Sequence, residues 1–134
     1  MHKKIILTEK APQPIGPYSQ AVQAGGFLFC SGQIALDPVS GQVSTQDVEG
    51  QTRKIMENIQ AVLEAAKCDF SSVVKTTIFL KSMNDFPKVN EIYGSYFKEN
   101  PPARSTVEVS RLPKDVLVEI EVVAMASLLS SMHS

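Results

Sequence analysis

Two stretches of this sequence carry apolar side chains at helical spacing along a single stripe, and most other apolar residues fall in short β-branched or alternating runs. The first stripe is Ile55, Ile59, Val62, Leu63 and Ala66. With Thr45 and Asp47 ahead of it as caps, it predicts a helix from about Asp47 to Lys67. The second is Phe86, Val89, Ile92, Tyr93, Tyr96 and Phe97, and Pro101-Pro102 is expected to stop it. A one-sided helix needs an apolar surface to bury its stripe, so both helices are expected on one face of a sheet. Apolar residues on the opposite face then predict association, because a sheet covered on one side only exposes a large patch.

The strands are read from the remaining runs. Lys3 to Thr8 suits a short strand. Glu9 to Ser19 carries Pro12, Pro14 and Pro17, which fix φ and remove amide donors, so it is expected to be an ordered extended loop. Ala21–Ala24 and Phe27–Gln33 flank Gly25-Gly26, a strong signal for a tight hairpin. Val73–Leu80 is a β-branched run that suits a buried strand. Arg104–Val109 and Val116–Ala126 alternate and are joined by a turn rich in proline and charge. The expected order is βββαβαββ, an α+β fold with a mixed sheet. With 134 residues the chain can bury one core but hardly two. Residues 1–126 are therefore read as a single domain and 127–134 as a loose tail.

Thirteen Lys and Arg against fourteen Asp and Glu leave a net charge of -1 spread along the chain. No basic stripe supplies the counterion release on which nucleic-acid affinity rests. No segment approaches a membrane span, and the apolar run at the start is too short for a signal core, so a cytoplasmic protein is expected. Cys30 and Cys68 form no CxxC pair and lie in apolar stretches, as buried thiols do.

Elimination narrows the chemistry. The only histidines, His2 and His133, lie near the two ends of the sequence. That leaves little room for a Ser-His or Cys-His pair or a multi-histidine metal site. No phosphate-cradling glycine motif occurs. What remains is the last strand pair. If the two strands form an antiparallel hairpin closed near Val109 and Val116, Thr106 comes opposite Glu119 and Arg104 opposite Glu121. The pattern fits two readings: a solvated cross-strand ion pair of about 0.2–1 kcal/mol, or a guanidinium that clamps a substrate carboxylate while a glutamate activates water. Taken singly, Tyr18 suits packing or ligand contact, Ser31-Gly32 a bulge or a backbone approach to a ligand, and Asn90 the polar face of a helix.

In order along the chain stand Ile15-Gly16-Pro17-Tyr18-Ser19-Gln20-Ala21, Ser31-Gly32-Gln33, Val74-Lys75-Thr76-Thr77, Asn84-Asp85-Phe86, Val89-Asn90, Pro102-Ala103-Arg104-Ser105, Leu112-Pro113-Lys114-Asp115-Val116 and Ile120-Glu121. Together, from about Ile5 to Ala126, they resemble the RidA (YjgF/YER057c/UK114) family. The resemblance implies a chorismate-mutase-like fold and a homotrimer whose sheets form a central barrel, with clefts between subunits. It also implies hydrolysis of reactive 2-imino acids, such as 2-iminobutanoate and 2-iminopropanoate, to 2-keto acids and ammonia, without metal or organic cofactor. These imino acids are tautomers of the enamines released by PLP-dependent dehydratases. By the same resemblance Arg104 binds the carboxylate and Glu119 positions water, and Tyr18 comes from the neighbouring subunit. Ser31 and Gly32 line the cleft, with Asn90 near it. Thr106 stands in the substrate-binding set where many bacterial members have cysteine. Two other functions stay open: an RNA-directed translation inhibitor or endoribonuclease, and a non-catalytic binder of small carboxylates.

Overall fold

The computed structural model describes residues 2–126, so the expected tail lies outside the described residues. Strands β1 (Lys4–Ile6), β2 (Ala21–Ala24) and β3 (Phe27–Cys30) are followed by α1 (Val48–Ala65), β4 (Val73–Leu80), α2 (Phe86–Gly94), β5 (Ala103–Glu108) and β6 (Val118–Met125). This is the expected α+β order. The strands form one mixed sheet in the order β1-β2-β3-β6-β4-β5.

Local chemistry accounts for the elements. Gly25 and Gly26 take φ of 57° and 83°, the paired positive values that a tight β2–β3 hairpin needs and that glycine adopts without steric cost. Asp47 caps α1 by accepting from the Gly50 amide at 2.8 Å. The stripe of α1 then buries Ile55, Ile59, Val62 and Leu63 in the same core as Leu28, Ile78 and Leu80 of the sheet. Helix α2 ends at Gly94, short of the proline pair. Its apolar spacing continues through tight turns in which the amides of Tyr96 and Phe97 donate to the carbonyls of Tyr93 and Gly94 at 3.0 and 3.2 Å. Phe97 stacks 4.8 Å from Tyr93, and Phe70 meets both Tyr96 and Phe97. The stripe is thus packed as expected, in backbone that is not all α-helix.

The last two strands depart from the sequence reading. They do not form a hairpin: β5 runs parallel to β4, with Thr76 beside Arg104 and Ile78 beside Thr106, while β6 lies antiparallel on the other side of β4 and also pairs with β3. A parallel pair requires a crossover, and α2 supplies it between β4 and β5. The chain must then pass back over β4 to reach the centre of the sheet. Burial explains the ordering. Val118, Ile120, Val122 and Ala124 of β6 are at most 2% exposed, as suits a strand with neighbours on both sides, whereas β5 is largely exposed and forms an edge.

Both helices sit on one face. On the other, Ile5, Phe27, Phe29, Val107 and Met125 are exposed, so the uncovered apolar side that the sequence implies is present in the isolated chain. Among the described residues no helix is long and apolar enough to cross a membrane.

The position of Ile120, fully buried on a central strand, predicts that Ile120→Ala lowers stability by about 2–5 kcal/mol. Denaturant unfolding at fixed protein concentration should show a lower midpoint with an unchanged slope.

Candidate functional site

The strand order divides the predicted site residues into two groups on opposite faces of the sheet. Thr76 and Ile78, beside Arg104 and Thr106, are buried on the helix side, so Arg104 and Thr106 rise from that face too. Glu119 pairs with Phe79, the alternate residue of β4, and points away from the helices. Arg104, Thr106 and Glu119 therefore do not converge within one chain, and Arg104 is not opposite Glu121. The error came from the assumed hairpin: with β4 inserted between the two strands, Glu121 faces Thr77 instead.

On the helix side, α2 presents Phe86, Asn90 and Tyr93 at successive turns of one stripe. The Arg104 guanidinium lies 5.2 Å from the ring centre of Phe86 and 5.1 Å from that of Tyr93. Its Nη1 donates to Asn90 Oδ1 at 2.7 Å. Tyr93 shares a 2.7 Å hydrogen bond with Thr76 Oγ1, and burial pushes its phenol pKa up, so the ring is a neutral platform. Two rings and one amide thus hold a planar cation whose remaining donors are open to a ligand. Beside it the Thr106 hydroxyl is buried without a hydrogen-bond partner. The sequence reading placed Asn90 near the site but missed Phe86 and Tyr93. The available signal was helical spacing: Asn90 and Tyr93 stand four and seven residues after Phe86.

On the other side a cavity of about 400 Å³ is lined by Tyr18, Ser31, Gly32, Ile34, Lys114 and Glu119, among others. A short bridge between Gln33 and Ile120, with amide-to-carbonyl distances of 2.8 and 3.2 Å, lays residues 31–33 against β6 and brings Gly32 onto Glu119. The approach is close enough that a Cβ on Gly32 would fall 2.5 Å from Glu119 Oε2 and 3.0 Å from its Cδ. Gly32 is needed here for space. Ser31 donates its hydroxyl proton to the Ser19 carbonyl at 2.6 Å, which anchors the loop that carries Tyr18 and leaves Ser31 Oγ only accepting capacity toward a ligand. Lys114, absent from the sequence reading of the site, reaches the cavity from a turn where it and Asp115 both take φ of 55°.

The electrostatics distinguish the acidic group from the thiols. Burial, and secondarily the charge of Glu121, raise the Glu119 carboxyl above its ordinary 4.5, the direction that makes a carboxylate a better proton acceptor. Burial also drives Cys30 up to about 12 and raises Cys68. Both are free thiols that stay protonated at neutral pH, unsuited to nucleophilic attack. Among the described residues no three His, Cys, Asp or Glu side chains gather as a metal-holding group.

Because an added methyl at Gly32 must displace the Glu119 carboxylate, Gly32→Ala is expected to abolish most of any activity that uses Glu119 while the chain remains folded. Turnover measured beside far-UV circular dichroism would check this, and full activity in the variant would show that Glu119 need not sit where it does.

Comparison with known proteins agrees with this architecture. The sequence model of the family described as endoribonuclease L-PSP matches residues 8–126. A RutC family protein of Pyrococcus horikoshii is 58% identical, over 91% of this chain and 97% of the relative. A Mus musculus protein named 2-iminobutanoate/2-iminopropanoate deaminase is 49% identical, over 92% of this chain and 91% of its own. Among solved structures, E. coli TdcF with bound serine superposes with a TM-score of 0.87 at 43% identity, covering 92% of this chain and 99% of that one. A family match over nearly all of the chain, shared with relatives at about half identity and with the same fold, places this protein in the RidA family, the family also described as endoribonuclease L-PSP.

Proposed function

We propose that this protein hydrolyses reactive 2-imino acids to 2-keto acids and ammonia, in clefts shared between the subunits of a homotrimer. One observation carries the proposal. An oriented guanidinium with open donors and a half-buried glutamate beside a cavity stand on opposite faces of one sheet, so a small carboxylate can meet both only where two copies join. The Arg104 surface and the Glu119 cavity are different patches. A contact between them is head-to-tail, and it closes into a ring when the rotation per subunit allows. Three subunits is the number the family resemblance implies. Such a ring can also cover the exposed Phe27, Phe29 and Met125. The relatives named as deaminases, and the serine held by an E. coli relative, support a small amino-acid-like ligand.

The chemistry asks little of the protein, because the substrate is already electrophilic. The substrate carboxylate takes the open donors of Arg104, held by Asn90 and the two rings, and Thr106 Oγ1 offers a further hydrogen bond at the same place. The C=N carbon then lies toward the cavity of the neighbouring copy. There Glu119 accepts a proton from water as the water oxygen attacks the carbon of the protonated imine, giving a neutral tetrahedral carbinolamine. Tyr18 and the backbone of Ser31-Gly32 enclose the reacting group. Return of the proton to nitrogen lets the C–N bond break and ammonia leave, and loss of the hydroxyl proton leaves the 2-keto acid. Water and the side chains of the two copies suffice for this balance.

The decisive test generates 2-iminobutanoate with an amino-acid oxidase, traps it with semicarbazide and measures how far the protein reduces trapping. Wild type should do so, and Arg104→Ala and Glu119→Gln should not. If the site is shared, mixing those two inactive variants through unfolding and refolding should restore about a quarter of wild-type activity, since each mixed trimer regains one intact cleft. Failure of the mixture to regain activity would place both residues in one subunit's site. Binding of 2-oxobutanoate without turnover would replace the enzyme by a binder, and salt-sensitive cleavage of RNA would favour the RNA-directed activity.

The pH dependence has a definite sign. A base with a raised pKa loses activity as pH falls through that value, so the acid limb of kcat/KM should lie above 4.5. Removing the neighbouring charge in Glu121→Gln should move the limb to lower pH. Folding follows the same linkage: between 4.5 and the raised value the folded protein keeps a proton that the unfolded chain has lost, so stability falls as pH rises through that window. Glu119→Gln should therefore be at least as stable as wild type at neutral pH.

A further inference from the structure

The wall of the cavity that carries Tyr18 is a segment without helix or strand between β1 and β2, and a loop of this length has no ladder to satisfy its backbone. Much of that work falls to one buried side chain. Gln20 is 2% exposed, and its carboxamide is spent on the backbone of the loop. Oε1 accepts from the Thr8 amide at 2.7 Å, while Nε2 donates to the carbonyls of Thr8 at 3.0 Å, Pro12 at 2.9 Å and Ala11 at 3.4 Å. Pro12, Gln13, Ile15 and Tyr18 of this loop then face the cavity, and Gln20 stands at its wall with its carboxamide turned to the loop backbone. The same device recurs on the other walls. Asn58 of α1, buried, donates to the Leu36 carbonyl at 3.0 Å and the Ile34 carbonyl at 3.4 Å. Gln51, also buried, accepts from the Leu117 amide at 2.9 Å, just ahead of Glu119. An apolar side chain at any of these places would leave backbone groups buried without a partner. A buried carboxamide adds direction, because each bond it makes fixes where one backbone group stands.

We infer that Gln20 is a positioning residue for the cleft, acting through the loop to set Tyr18 against Glu119. The inference rests on the function proposed above, and it is tested in two ways that separate the two. The chain contains no tryptophan, so Tyr18→Trp installs a single indole in the loop. Adding Gln20→Met, which keeps the length of the side chain and removes its hydrogen bonds, should lower the anisotropy of that indole and raise its quenching by acrylamide, with far-UV circular dichroism unchanged. If Gln20→Met does not fold, the milder Gln20→Asn serves, since it keeps a carboxamide but sets it one methylene short of the loop backbone.

In the imine assay Gln20→Met should lower kcat/KM by about tenfold to a hundredfold in the Tyr18 background, and by no more than about twofold when Tyr18 is already alanine. Losses that multiply would show that Gln20 does not work through Tyr18 and would overturn the inference. An indole equally ordered with and without Gln20 would do the same. Should wild type fail to hydrolyse the imine, the deaminase reading falls. The anisotropy, and the same double-mutant cycle read on 2-oxobutanoate affinity, still decide the role of Gln20.

Discussion

The parallel pairing of β4 with β5 sets the rest of the structure. α2 carries the chain across from one end of β4 to the start of β5, and the last strand then enters the sheet on the far side of β4, between it and β3. That crossover gives β6 its neighbours on both sides and its buried Val118, Ile120 and Val122. It leaves β5 as an exposed edge, and it lays the stripe of α2 over the base of Arg104. It also turns Arg104 and Glu119 to opposite faces. In the function proposed here those two side chains can act on one ligand only in an assembly, and the apolar helix-free face is a surface that such an assembly would cover.

The two halves of the site are held by different physics. Arg104 is exposed, so its placement relies on weak forces that act together: two aromatic faces, each about 5 Å away, and one hydrogen bond to Asn90. The Glu119 side is built by exclusion and by directed bonds. Gly32 yields the space that the carboxylate occupies, and buried carboxamides pin the backbone of the surrounding walls. Burial raises the pKa of Glu119 at a cost to stability, an arrangement typical of groups kept for chemistry and not for folding.

Much of the fold was legible because it follows from periodicity and local rules. The stripe from Ile55 to Ala66, the run Val73–Leu80, the Gly25-Gly26 turn and the Asp47 cap each act over a few residues, and each appears as expected. The second stripe, Phe86 to Phe97, was packed as read, although the α-helix ends at Gly94. The exposed apolar face was legible too, as what remains when both helices cover one side.

The pairing of β5 was not legible, since a strand's neighbour is a contact between distant segments and leaves little local trace. The difference between polar β5 and apolar β6 hinted at edge and centre, but a hairpin satisfies the same alternation. The sequence by itself determined which elements form, which face of each is apolar, and which side chains have the chemistry to bind a carboxylate or accept a proton. Tertiary structure decided which of those side chains meet. It set Arg104 with Phe86, Asn90 and Tyr93 on one face, and Glu119 with Gly32, Ser31 and Tyr18 on the other. Strand order is a global choice: it is fixed by the burial of β6 on both sides and by the crossover through α2, and no window of sequence contains both.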